Sequence, residues 1–184
     1  MIDFDEASHT YTHRGLIVPG VTSVLEAALQ EFALLPGELM EDARRRGQLV
    51  HAATALFDLD DLVFESVDVN LWPYIEAWIT FRKDTGFIPT VIEEQVFSRR
   101  HFYAGTLDRI GELYGECALV DIKSGGLPMS VGPQTAAYAE AWNFRRPAPE
   151  KTKSRWCVQL CKAGHYRLHA LKAARGDFSA FLAA

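Results

Sequence analysis

Two short segments carry residue types that can do chemistry together: Gly105-Thr106-Leu107-Asp108-Arg109-Ile110-Gly111 and Leu119-Val120-Asp121-Ile122-Lys123-Ser124-Gly125. Asp108 and Asp121 lie thirteen positions apart, and Lys123 follows two positions later. On adjacent strands this spacing gathers two carboxylates and an ammonium. Leu107 and Ile110 flank the first acid, and Val120 and Ile122 the second. Such neighbours put the charges at strand ends or in a cleft, where an unpaired carboxylate is costly. A divalent cation removes that cost. Phosphodiester hydrolysis with such a cation needs oxygen ligands that leave positions for water and phosphate, and Asp108 and Asp121 are the natural pair. Residues i and i+2 of a strand share a face, so Lys123 emerges beside Asp121, where it can orient the attacking water or balance developing charge. Ile122 points its side chain to the core and can offer its carbonyl as a further ligand.

The elements that must position these groups follow from periodicity. His9 to Val18 reads as a hairpin turning near Arg14-Gly15, and Thr22 or Ser23 can cap a short helix through Glu26. A longer helix is expected from Pro36 to about Phe57, with Leu39, Ala43, Val50, Ala53 and Phe57 as its apolar stripe. The acidic segment 58–68 reads as a loop, and a further helix runs from Trp72-Pro73 to about Asp84, stopped by Gly86. Three strands follow, at 91–97, 101–111 and 117–123, rich in β-branched and aromatic residues. Pro133 to Phe144 reads as a helix, 145–153 as a basic linker, 155–161 and 166–171 as a second hairpin, and 178–183 as a final short helix. This order implies an α/β or α+β domain with a central mixed sheet flanked by helices.

At 184 residues, 48% hydrophobic and 23% charged, the chain suits a single domain able to bury a core. We divide it into an N-terminal hairpin and short helix (1–35), a core (36–161) and a C-terminal strand and helix (162–184). No apolar run approaches the roughly 20 residues that span a bilayer. The acidic start lacks the features of a secretory signal, so the expected location is cytoplasmic. Cys117, Cys157 and Cys161 are odd in number and lack zinc-ribbon spacing, which suits reduced thiols. The net charge of −5 is unevenly spread: Ala141 to Gly176 holds nine basic residues against Glu150 alone, +8, leaving −13 for the rest. Such asymmetry suits a polyanion at one face and a metal in an acidic cleft elsewhere, although a solvated basic surface without a partner reads equally well.

The run Tyr103-Ala104-Gly105-Thr106-Leu107-Asp108, then Val120-Asp121-Ile122-Lys123-Ser124-Gly125, then Gln134-Thr135-Ala136-Ala137-Tyr138 resembles the PD-(D/E)XK nuclease superfamily, and more closely its RecB-like branch of recombination enzymes and phage exonucleases. The superfamily's α-β-β-β-α-β restriction-endonuclease-like core agrees with the order read over 36–161. Arg46-Gly47-Gln48-Leu49-Val50-His51 matches the branch's Arg-Gly-x-x-x-His run. Taken alone, His51 reads as a packed core residue; the resemblance implies a metal ligand or a phosphate contact. It also implies a glutamate on the strand before Asp108. Strand parity with Ile92, Val96 and Ser98 favours Glu94 and leaves Glu93 solvated, and a bulge would exchange the two.

Gln134 and Tyr138, four apart on a helix, are implied to face the cleft, with catalytic as well as substrate-binding roles, joined in substrate binding by Arg46 and Ser124. The expected ligand set is thus His51, Glu94, Asp108, Asp121 and the Ile122 carbonyl, for Mg²⁺ or Mn²⁺. Relatives with an iron–sulfur cluster carry four cysteines, so no cluster is expected. The implied function is a metal-dependent deoxyribonuclease of exonuclease type in recombination, repair or phage DNA processing. Its implied partners are DNA and a recombination or replication protein. A DNA- or protein-binding module that has lost turnover and a metal-dependent hydrolase of another substrate are the alternatives.

Overall fold

The computed structural model of the chain describes residues 2–5, 8–29, 37–144 and 146–184. Pro36, the expected start of the long helix, and Arg145 of the basic linker lie outside them. Strands β1 (Asp3–Asp5), β2 (Thr10–His13) and β3 (Leu16–Val18) form an antiparallel sheet. The turn between β2 and β3 places Arg14 and Gly15 at φ 53° and 77°, a conformation whose twist matches the flanking strands. Strand β1 was not announced by the sequence pattern, because three residues are too few to show alternation. Helix α1 (Val21–Leu29) begins ahead of Thr22, so Thr22 and Ser23 lie inside it rather than capping it.

Helices α2 (Gly37–Asp58) and α3 (Trp72–Thr85) precede three long strands, β4 (Ile88–Ser98), β5 (Tyr103–Leu113) and β6 (Glu116–Lys123). Then come α4 (Val131–Asn143), β7 (Ser154–Leu160), β8 (Tyr166–Ala170) and α5 (Ala174–Ala183). The main sheet has the order β4-β5-β6-β7-β8 and is antiparallel except at β6–β7, whose parallel pairing is bought by the α4 crossover. The chain is therefore α+β, a five-stranded mixed sheet flanked by helices.

Each face of the sheet has its own core. Val50 of α2 and Trp78 and Phe81 of α3 pack on Val120, Ile122 and Val158. On the other face Val21 and Leu25 of α1, Tyr138 and Trp142 of α4 and Phe181 of α5 pack on Val96, Leu107, Ile110 and Leu119. The expected stripe of α2 is realised only in its second half: Val50 and Ala53 are buried, whereas Leu39 and Ala43 are exposed. Periodicity tells which residues share a helix face, not how far the partner element reaches beneath them. No described helix is long and apolar enough to cross a membrane.

Packing at the edge of the sheet leaves no room beside Gly111. A Cβ there would run into the Ile88 carbonyl oxygen and lie 2.8 Å from the Phe87 ring. Because the obstacle is backbone, Gly111→Ala is expected to destabilise the fold by about 1–3 kcal/mol, read as a lower midpoint in urea unfolding. An unchanged midpoint would contradict this packing.

Candidate metal centre

The site begins where two strands part. Pairing of β5 with β6 runs from Leu113↔Glu116 to Arg109↔Val120 and stops there, one step short of Asp108 and Asp121. Strand β6 continues beside β7 as far as Lys123↔Gln159. The Ile122 N–H has no β5 backbone acceptor beyond the fork; it donates instead to Asp108 Oδ2 at 2.6 Å. The Asp108 carboxylate is thereby fixed in a nearly buried position.

Helix α2 brings His51 against the same peptide. Its Nε2 lies 3.0 Å from the Ile122 carbonyl oxygen, which can only accept, so Nε2 donates. Its Nδ1 then faces Asp108 Oδ1 at 3.5 Å and Glu93 Oε1 at 3.7 Å. One ligand atom each from His51, Glu93 and Asp108 lies within 4.8 Å of the others. Burial opposes a charge on His51, yet the Asp108 and Glu93 carboxylates outweigh it and raise its pKa to about 9. Burial likewise opposes the charge on Glu93, but His51 and Arg109 hold its carboxyl below the usual value. A proton on the imidazole occupies the place where the donor set, one nitrogen and two carboxylates, would accept a divalent cation.

The glutamate of this cluster is Glu93, a correction to Glu94. Register places Glu93 opposite Asp108, between the pairs Ile92↔Arg109 and Glu94↔Leu107. Val96 belongs to the face covered by α1 and α4, whereas His51 approaches from α2 on the other face. Parity with Val96 therefore chose the wrong side. Glu93 also adopts φ 49°, and Glu94 is exposed to solvent and outside the cluster.

Sequence reasoning missed what holds Glu93. The wholly buried Arg109 donates to Glu93 Oε1 (2.7 Å), Asp58 Oδ2 (2.6 Å), the Asp108 carbonyl (2.7 Å) and Thr54 Oγ1 (3.2 Å). Asp58, expected in an acidic loop, is the last residue of α2; its other oxygen accepts from Trp78 Nε1 at 2.9 Å and Arg82 at 2.8 Å. The one available signal was an arginine set among Leu107, Ile110 and Gly111 of β5, a position that demands buried partners.

Asp121 stands apart from the three converging ligand atoms. It forms an ion pair with Lys123, at 3.0 Å through Oδ1 and 2.8 Å through Oδ2, and accepts from Cys157 Sγ at 3.7 Å. Burial raises its carboxyl to about 6 against the pull of Lys123. On Lys123 burial acts the other way, and the Asp121 and Asp108 carboxylates overcome it to hold the ammonium above its usual range. The Ile122 side chain is buried in the core while its carbonyl faces His51.

Tyr138 and Gln134 meet as their spacing implied: the Gln134 amide donates to the Tyr138 hydroxyl at 3.1 Å. Gly105 makes room for this tyrosine, since a Cβ there would lie 2.5 Å from Tyr138 Cε1. The neighbouring Thr106 shares a 2.9 Å hydrogen bond with Tyr11 of the N-terminal sheet. Arg46 carries a buried Nε without a partner and sets Nη2 3.8 Å from where a Cβ on Gly125 would be; Gly47 faces Ser124 in the same way.

Of the basic C-terminal run, Arg146, Lys153, Arg155, Lys172 and Arg175 lie away from this cleft, whereas Arg167 pairs with Gln159, itself opposite Lys123. Arg155 is buried against Asp177 at 2.7 Å, and Arg146 lies over Trp142. Lys153, Lys172 and Arg175 line a groove of about 530 Å³ beside Ser154, which pairs with Ala118 at the end of β6 remote from Lys123. Comparison with protein-family models and with curated proteins finds no match to this chain.

Proposed function

We propose that this chain is a metal-dependent deoxyribonuclease of the RecB-like type, built on a restriction-endonuclease-like core. The observation that carries the reading is the convergence of His51, Glu93 and Asp108 at the fork between β5 and β6, with the Lys123 ammonium held next to it by Asp121. His51 through Nδ1, with Glu93 and Asp108, would hold Mg²⁺ or Mn²⁺, while the Ile122 carbonyl, expected as a ligand, instead accepts from Nε2 and fixes the imidazole; Asp121 extends the acidic set. A bound cation of this kind supplies Lewis acidity toward phosphate and a more acidic water.

Lys123, fixed by two contacts to one carboxylate, is placed to orient a water and to offset charge developing on phosphate oxygens. The spare donor of Arg46, beside Ser124 and Gly125, fits a phosphate of the bound strand. Tyr138, expected to contact the substrate, is buried in the core beneath α4 and accepts from Gln134; of the two, the half-buried Gln134 is the one left to contact the substrate.

The test is incubation with end-labelled linear and with circular DNA, single- and double-stranded, in Mn²⁺, Mg²⁺ or EDTA. Cleavage that needs the metal, prefers ends and falls about 100-fold in Lys123→Ala is expected. Tight DNA binding with no cleavage in either metal would instead mark a binding module, and DNA indifference would discard both.

A further inference from the structure

We propose that two adjoining hairpin tips beside the cleft form a stacking platform for single-stranded nucleic acid. The bases would rest on His13, Phe97 and Phe102, and the phosphates would meet Arg14, Arg99 and Arg100. The proposal deepens the nuclease reading and rests on it only for which strand is cut.

The tips are the β2–β3 turn and the β4–β5 loop at 99–102. Their rings form a row: His13 lies 4.8 Å from Phe97, and Phe97 lies 5.9 Å from Phe102, measured between ring centres. Leu16, Ile17 and Phe102 are exposed, at 63%, 73% and 40%, so this apolar surface is open. Phe102 also holds φ 56°, where a bulky residue is an outlier and glycine or asparagine fits better. Its N–H donates to the Ser98 carbonyl at 2.8 Å, which ties the loop in that conformation and keeps the ring presented.

Charge selects the occupant. Residues 9–20 and 95–107 contain no acid, but they contain Arg14, Arg99, Arg100 and three histidines, in a chain of net charge −5. All three arginines are exposed. An exposed ring, Phe102, beside the half-buried His13 and Phe97 and interleaved with cations is a composition that binds single strands, because every base has a face to stack and every link carries a phosphate.

The platform also points at the metal cluster. Phe97 shares strand parity with Glu93, four residues along β4, a distance of about 13 Å. Tyr11 lies two residues from His13 and bonds Thr106, itself two residues from Asp108. A strand whose phosphate reaches His51, Glu93 and Asp108 thus passes its next few bases over the rings.

The experiment is fluorescence anisotropy of labelled dT12, and of a duplex of the same length, in EDTA so that no cleavage intervenes. Phe102→Asn removes the ring at a position whose backbone suits asparagine, so the variant keeps its fold; dT12 affinity is expected to fall about five- to tenfold, with the duplex less affected. Arg99→Ala with Arg100→Ala is expected to weaken binding and lower the log–log salt slope by about 1.4. Lys153→Ala with Lys172→Ala and Arg175→Ala, in the remote groove, should leave dT12 affinity unchanged. Failure of wild-type protein to bind dT12, affinity within twofold in Phe102→Asn, or loss confined to the groove variant would each overturn the platform. A chain that binds through Phe102 but cuts no DNA in either metal would overturn the nuclease reading alone.

Discussion

Asp108→Asn is expected to weaken Mn²⁺ binding by more than about tenfold and to lower DNA cleavage by about two to three orders of magnitude, with little loss of thermal stability. The asparagine carbonyl can still accept from the Ile122 N–H, so the fork between β5 and β6 keeps its hydrogen bond. What it loses is the charge facing His51 Nδ1. Titration calorimetry with Mn²⁺ and a cleavage assay on the same preparation read the two effects. Cleavage within threefold of the parent would show that Asp108 is a strand-end hydrogen-bond acceptor and nothing more. The companion pair Glu93→Gln and Glu94→Gln separates the two neighbouring acids. Loss of metal binding is expected only for the first, which is in the cluster, and not for the exposed second.

That pair also marks where sequence reasoning stops. Asp108, Asp121 and Lys123 were legible because carboxylates among Leu107, Val120 and Ile122 are expensive without a purpose. The element order was legible for a similar reason, since the period of the apolar residues changes at Pro89. Which face of β4 meets α2 was not legible. Both faces carry apolar residues, Val96 on one and Phe97 on the other, so alternation alone has two solutions. The choice is made by where α2 and α1 pack, a tertiary fact.

Asp58 was misread for the converse reason. Five acids lie between 58 and 68, and composition averages over them, whereas burial singles out the first because it sits where α2 ends beside Trp78 and Arg82. Asp121 illustrates a third limit. Spacing said that it shares a site with Lys123, but not that the two would be paired with each other while His51, Glu93 and Asp108 converge separately. A cation is the group that could draw the two sets together, since it competes with Lys123 for the same carboxylate oxygens.

The second large effect lies beneath the site. Arg109→Met is expected to cost about 3–5 kcal/mol of stability, because it strands the fully buried Asp58 carboxylate with one partner fewer and releases Glu93. Arg109→Lys keeps the charge but cannot reach Asp58, Glu93, Thr54 and the Asp108 carbonyl from one planar fork, so it should fold and yet bind Mn²⁺ about tenfold more weakly. Adding Asp58→Asn to Arg109→Met removes the stranded charge and should recover part of the stability without recovering the metal, since Glu93 still lacks its 2.7 Å donor. Urea unfolding and Mn²⁺ calorimetry on the three variants resolve the two roles. If metal affinity in Arg109→Lys matched the parent, the arginine would be holding α2 against the sheet and not the ligand. If the double variant regained both stability and metal binding, Asp58 alone would account for the effect, and Glu93 would keep its place by its backbone conformation.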